Sequence, residues 1–136
     1  MKFLLDTNTC IVYMRGKNST LKHKLESTVT RDITVCSIVK AELFYGAMKS
    51  ANPERNLTLQ QEFLAQFISL PFDDTAAMIF GMIRSQLEAL GTPIGAYDLQ
   101  IAAIALKNNL TLITHNTREF KRVHNLLIED WEIDFG

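Results

Sequence analysis

The sequence predicts an α/β fold in which helices flank a central parallel sheet, and three observations predict it. Short apolar runs alternate with longer stretches of helical periodicity along the chain. The runs are continuous rather than alternating in polarity, as in Phe3-Leu4-Leu5 and Ile33-Thr34-Val35-Cys36, which is the pattern of strands buried on both faces. Both runs pass into a helix start with almost no loop, the local unit of a right-handed strand-helix-strand crossover. The chain has 136 residues, 47% of them hydrophobic, enough for one core without disulfide or metal staples. Residues 1–136 are therefore expected to form a single domain.

The first strand, Phe3 to Leu5, ends on Asp6, a carboxylate at a strand terminus where ligands of parallel sheets gather. Thr7 or Asn8 can cap the helix that follows, and Gly16 closes it. A second helix opens at Ser19 and shares Leu21, Leu25 and Val29 on one face. Strand two, Ile33 to Cys36, leads into a helix capped by Ser37 and running to about Lys49. Asn52-Pro53-Glu54 starts the next helix, which carries Leu57, Phe63, Leu64, Phe67 and Ile68, and Ser69 to Phe72 forms a short third strand. Asp73 or Asp74 begins a helix through Met78, Ile79, Met82, Ile83 and Leu87 to Leu90, stopped by Gly91. After the connector Gly91-Thr92-Pro93-Ile94-Gly95, a helix with Asp98 near its first turn extends to Asn108 or Asn109. Thr111 to Thr114 is strand four, His115 to Phe120 a loop or short helix, and Leu126 to Ile128 a last edge strand.

A formal net charge of -1 excludes a broadly basic nucleic-acid coat but leaves room for a local basic rim around an acidic centre. Cys10 and Cys36, the two cysteines, form no C-x-x-C pair and fit a reduced intracellular chain. No secretory pattern and no apolar run of bilayer length occur, so the expected compartment is the cytoplasm and no membrane partner is expected.

The acids carry the chemistry. Asp98 shares a helical stripe with Ile101, Ala102 and Ala105, which face the core, so this carboxylate is expected at the edge of apolar surroundings. Glu42 poses the same question, with Ile38, Val39, Tyr45 and Gly46 at helical spacing. An ionised carboxylate held away from water needs a cation, a metal or a helix terminus, and Asp6 and Asp98 each have a helix terminus as the simpler explanation. Asp6, Glu42 and Asp98 nevertheless come from strand ends and nearby helix turns, and Asn116 and Glu119 follow strand four, so all five converge on one sheet edge. Mutual repulsion in such a cluster is relieved by hard divalent cations, Mg or Mn. The absence of C-x-x-C and H-E-x-x-H disfavours zinc, and the absence of G-x-S-x-G, G-x-G-x-x-G and G-K-[ST] disfavours serine hydrolases, dinucleotide enzymes and P-loop NTPases. Carboxylates with a metal and no protein nucleophile suit hydrolysis of phosphodiesters by an activated water. Arg84, set among Met82, Ile83 and Leu87, and Arg118 are candidate phosphate contacts on a basic rim. His115 lies near the site without an assigned role.

Four motifs then carry a resemblance that runs in order along nearly the whole chain. Leu4-Leu5-Asp6-Thr7-Asn8 comes first, followed by Ala41-Glu42-Leu43-Phe44-Tyr45-Gly46 with Pro53-Glu54-Arg55-Asn56. The third is Gly91 to Gly95 with Asp98 to Ala103, and the fourth Thr114-His115-Asn116-Thr117-Arg118-Glu119-Phe120. Together with Glu129-Asp130-Trp131 they resemble PIN-domain ribonucleases, specifically the VapC toxins of type II toxin-antitoxin pairs. The resemblance implies a three-layer α/β PIN-like fold, Mg- or Mn-dependent endoribonuclease activity, a homodimer, and neutralisation by a VapB-type antitoxin whose C-terminal segment occupies the active-site groove. Its acidic quartet maps onto Asp6, Glu42, Asp98 and Glu119; within it Asp6 and Asp98 are expected to bind the metal directly, Glu42 and Glu119 to complete the pocket through bound waters or a second ion, and Asn116 to orient water or phosphate. It implies structured RNA as substrate, initiator tRNA foremost. The chain departs from the pattern by carrying asparagine at 116 and glutamate at 119 where aspartate is common, which lowers the charge and leaves one or two metal ions open. Rival readings are a non-catalytic PIN-like RNA-binding module and a phosphatase using Asp6 as nucleophile, the latter lacking a second carboxylate at Asn8.

Overall fold

The computed structural model describes residues 1–134; the last two residues of the expected 1–136 span lie outside the described residues. Five strands form one all-parallel sheet in the order β3-β2-β1-β4-β5: β1 (Phe3–Leu5), β2 (Ile33–Cys36), β3 (Ile68–Leu70), β4 (Thr111–Ile113) and β5 (Ile128–Glu129). Seven helices connect them among the described residues: α1 (Thr7–Arg15), α2 (Ser19–Ser27), α3 (Ser37–Met48), α4 (Pro53–Leu64), α5 (Asp74–Ala89), α6 (Ala96–Lys107) and α7 (Thr117–Phe120). The chain steps outward from β1 through β2 to β3, then returns across the sheet to β4 and β5. Right-handed crossovers running in opposite directions place helices on both faces, giving three layers.

The central strands are mostly apolar because a polar group between two helical layers must find its partner there, as the Thr34 hydroxyl does by donating to the Phe3 carbonyl at 2.8 Å. Leu4, Leu5, Leu112 and Ile113 have no exposed surface, and α6 presses Ile101 through Ala105 into the same core. Burying each leucine or isoleucine contributes about 1.5–3 kcal/mol. Cys10 and Cys36 are buried free thiols, packed as small apolar residues. Near the chain's end, Trp131 lies edge-on against Phe3 with ring centroids 5.0 Å apart.

Several element boundaries differ from the sequence expectation. Among the caps open to α1, Asp6 takes the role instead of Thr7 or Asn8, in keeping with its helix-terminus reading: its Oδ1 accepts the Thr9 N–H at 2.8 Å. Ser37 is the first residue of α3, with Cys36 before it, and its hydroxyl donates to the Leu70 carbonyl of β3 instead of capping. α2 stops at Ser27, because the Thr28 hydroxyl bonds the Lys24 carbonyl and the backbone turns extended, so Val29 leaves the expected helical face and is exposed. Phe67 and Ile68 fall beyond α4; Ile68 begins β3 opposite Thr34, and Leu70 ends it before Pro71. Met78 and Met82 of α5 face solvent, leaving Ala76, Ile83 and Leu87 as its buried residues. The last strand is Ile128–Glu129, which starts two residues and ends one residue later than the expected Leu126 to Ile128.

No helix among the described residues is long and apolar enough to cross a membrane.

Candidate active site

The order reversal of the sheet opens a crevice at the carboxyl ends of β1 and β4. These ends are locked together: Leu5 pairs with Ile113, and the Asp6 N–H donates to the Ile113 carbonyl at 3.1 Å. Asp6 therefore stands at the crevice floor, 5% exposed. Its carboxylate is held by the Thr9 backbone N–H and lies within hydrogen-bonding reach of the Thr9 and Thr114 hydroxyls. Burial raises its pKa against the pull of these donors, and the charge of Asp130 raises it further.

Glu42 reaches the crevice from α3, half-buried, with its Oε1 accepting the Thr7 hydroxyl at 2.7 Å. Its helix buries Val39, Leu43 and Ala47, so Glu42 sits one residue round from the core stripe instead of along it, and Tyr45 and Gly46 are exposed. This corrects the expected apolar setting of Glu42: the residue borders solvent. Asp98 occupies the first turn of α6 above the buried Ile101, Ala102 and Ala105, as the spacing predicts. Glu119 projects from α7, its Oε2 accepting the Asn116 side-chain amide at 3.0 Å, while the Asn116 N–H donates to the Thr114 hydroxyl. Asn116 thus fastens Glu119 to the end of β4.

The electrostatics of Asp98 show that these acids share one space. Its pKa is raised to about 6, first by burial and then by the negative charges of Glu42, Asp6 and Glu119. The charged neighbours acting on Asp98 are all acids. Carboxylates from the β1–α1 junction, α3, α6 and α7 therefore act on one another, an oxygen-only set of the class that hard divalent metals take. Arg84 is held on the outer side of α5 by Glu88, at 3.1 Å, with its guanidinium over Phe80. Arg118 is exposed on α7 beside Glu119.

The sequence reading passed over three threonines and one acid that shape this crevice. Thr7, Thr9 and Thr114 orient the carboxylates, and the signal available for them is their position within four residues beyond β1 and β4. Asp130, 9% exposed, binds His115 through Oδ2 to Nδ1 at 2.8 Å and accepts the Glu132 N–H. The hydrogen bond to Asp130 raises the His115 pKa, followed by the charge of Glu132. The ligand-capable atoms of His115, Asp130 and Glu132 lie within 4.8 Å of one another, a second polar group beside Asp6 with a histidine to offset its acids.

Comparison with known proteins matches this fold and site to one family. Residues 3–126 match the PIN domain family. The chain is 41% identical over 131 residues to the tRNA(fMet)-specific endonuclease VapC of Salmonella typhimurium, covering 96% of this chain and 98% of that protein. It is 37% identical over 133 residues to Ribonuclease VapC2 of Rickettsia felis, covering 97% and 99%. Among solved structures, a chain of DNA-bound VapBC from Salmonella typhimurium superposes with a TM-score of 0.91 at 41% identity, covering 96% of this chain and 98% of that one. A chain of VapBC2 from Rickettsia felis bound to a promoter DNA fragment gives 0.88 at 36% identity, covering 96% and 99%. The chain belongs to the PIN domain family, as a ribonuclease of the VapC type.

Proposed function

We propose that the chain is the toxin of a VapBC-type pair, a Mg- or Mn-dependent endoribonuclease that cleaves tRNA, initiator tRNA foremost, in the cytoplasm. A VapB-type antitoxin holds it inactive, and two copies associate as a homodimer. The observation that carries this reading is the placement of Asp6, Glu42, Asp98 and Glu119 around the carboxyl ends of β1 and β4, where the charges of the other three raise the Asp98 pKa. The similarity to a protein named for tRNA(fMet) supports the substrate, and the similarity to chains of VapBC complexes supports the partner.

In this reading Asp6 and Asp98 hold the metal directly, and Glu42 and Glu119 complete the pocket. When bound, Mg or Mn would supply Lewis-acid stabilisation of charge on the phosphate and a water acidic enough to attack it. The chain's own residues set the geometry. Thr9 and Thr114 fix the Asp6 carboxylate, Thr7 fixes Glu42, and Asn116 fixes Glu119, so the oxygens are arranged before RNA arrives. Asn116 serves as a positioning residue through its bond to Glu119. Arg118 is exposed to meet a phosphate, and Arg84 would have to leave Glu88 to do so.

The test is incubation of purified protein with an RNA panel that includes initiator tRNA, with Mg, Mn or EDTA. Cleavage of tRNA that requires the divalent ion, and that a stoichiometric VapB-type antitoxin suppresses, is expected. Cleavage at the same rate in EDTA would refute the metal-dependent site.

A further inference from the structure

A cavity of about 440 Å³ opens beside the acids, lined by Ala41, Glu42, Tyr45 and Tyr97. This is within the size range of small-ligand pockets. Its two tyrosines arrive from different helices by short routes from catalytic acids. Tyr45 lies three residues after Glu42 on α3, and so on the same helix face, whereas Tyr97 immediately precedes Asp98 in the first turn of α6. Tyr45 is 63% exposed and Tyr97 60% exposed, so neither ring is spent on the core. Lys49 brings its Nζ to 5.2 Å from the Tyr45 ring centroid, adding a cation beside that ring.

We propose that Tyr45 and Tyr97 form a stacking subsite for an unpaired nucleobase adjacent to the phosphate cut at the carboxylates. The proposal rests on the ribonuclease reading and adds the kind of RNA segment that the site takes. Even with a divalent cation among them, four carboxylates leave the site with excess negative charge, so contacts that do not depend on attracting the RNA's charge add affinity there. Aromatic faces provide such a contact, because every base has a π-face and stacking tolerates sequence. Glu42 is both one of the acids that act on Asp98 and a wall of the cavity, so a base next to a phosphate held at the acids lies beside the tyrosines. A base inside a duplex is already stacked on its neighbours and cannot enter. The cut therefore falls in a single-stranded stretch, such as a loop, with little base preference at the stacked position.

The experiment compares an RNA oligonucleotide that folds as a stem-loop and is cut in its loop with the same oligonucleotide carrying an abasic residue beside its mapped cut. The proteins are the native chain and the variants Tyr45→Ala, Tyr97→Ala, Tyr45→Phe and Tyr97→Phe. Each alanine variant is expected to raise KM about tenfold with kcat much less affected, and each phenylalanine variant to restore it. The abasic oligonucleotide should raise KM for the native protein by a similar factor and add little in the alanine variants, because the same contact is already lost. Fluorescence anisotropy with labelled oligonucleotide and Asp98→Asn protein gives a second readout: adding Tyr97→Ala should weaken binding about tenfold. Normal metal-dependent cleavage with unchanged KM in the alanine variants would overturn the subsite and leave the ribonuclease reading standing. Unchanged RNA handling with lost antitoxin inhibition would also overturn it, in favour of a peptide pocket. No binding and no cleavage of any RNA by the native chain would overturn both readings.

Discussion

Asp98 holds its proton more tightly in the folded chain than in the unfolded one, and its pKa moves from an ordinary 3.8 to about 6. Between these values the folded state binds more protons than the unfolded state, so the stability of the metal-free protein falls as pH rises from near 4 through about 6 and then levels off. A divalent cation reverses the preference, because it favours the ionised carboxylate. Two outcomes follow at this scale. Asp98→Asn should raise the thermal midpoint of the EDTA-treated protein at pH 8. Discounted for the partial exposure of Asp98, the gain is about 1 kcal/mol, or roughly 3–5 °C. Mg should stabilise the native protein more at pH 8 than at pH 5, and should do little for the variant. Differential scanning calorimetry with and without metal measures both, and a midpoint lowered by Asp98→Asn in EDTA would contradict the repulsion inferred among the acids. Asn116 and Thr7 work differently: they carry no charge and act by holding Glu119 and Glu42 in place.

The β1–α1 junction shows how one element serves both fold and site. Asp6 ends the strand, caps the helix through the Thr9 N–H, and points its carboxylate into the crevice. These duties separate by substitution. Asp6→Asn keeps an oxygen acceptor for the cap and removes a buried charge, so it should unfold at or above the native temperature while losing cleavage. Asp6→Ala loses cleavage and also the cap, at a cost of about 1 kcal/mol; equal urea midpoints for the two variants would show that the cap contributes nothing. The strand's role was legible from Leu4-Leu5-Asp6, because a buried run ending in an acid is a local pattern. The sequence leaves the cap open among Asp6, Thr7 and Asn8 because three adjacent residues can all cap, and only the backbone path selects among them. Glu42 was placed with the core for a similar reason: an error of one residue turns a helix by 100°, and the stripe Val39, Leu43, Ala47 is fixed by packing against other elements. The end of α4 moved because the pairing of Ile68 with Thr34 outweighs the helical spacing of Phe67 and Ile68.

At the scale of the whole molecule, alternation of strands and helices was enough to give a parallel sheet, since each crossover is local in sequence. The order β3-β2-β1-β4-β5 is a long-range property, and it is this order that puts β1 beside β4 and brings residues as distant as Asp6 and Glu119 to one crevice. Asp6, Glu42, Asp98 and Glu119 could be chosen one by one from strand ends and helix starts. The threonines that orient them, and the tyrosines that border them, became visible only when the elements were assembled. The most direct measurement of the central claim, that four acids from four elements make one cation site, is a Mn titration followed by electron paramagnetic resonance, paired with tRNA cleavage on the same samples. The native chain should bind Mn and cleave, whereas Asp98→Asn should lose tight Mn binding and lose cleavage by on the order of 100-fold or more. Undiminished Mn binding and cleavage by Asp98→Asn would contradict the account.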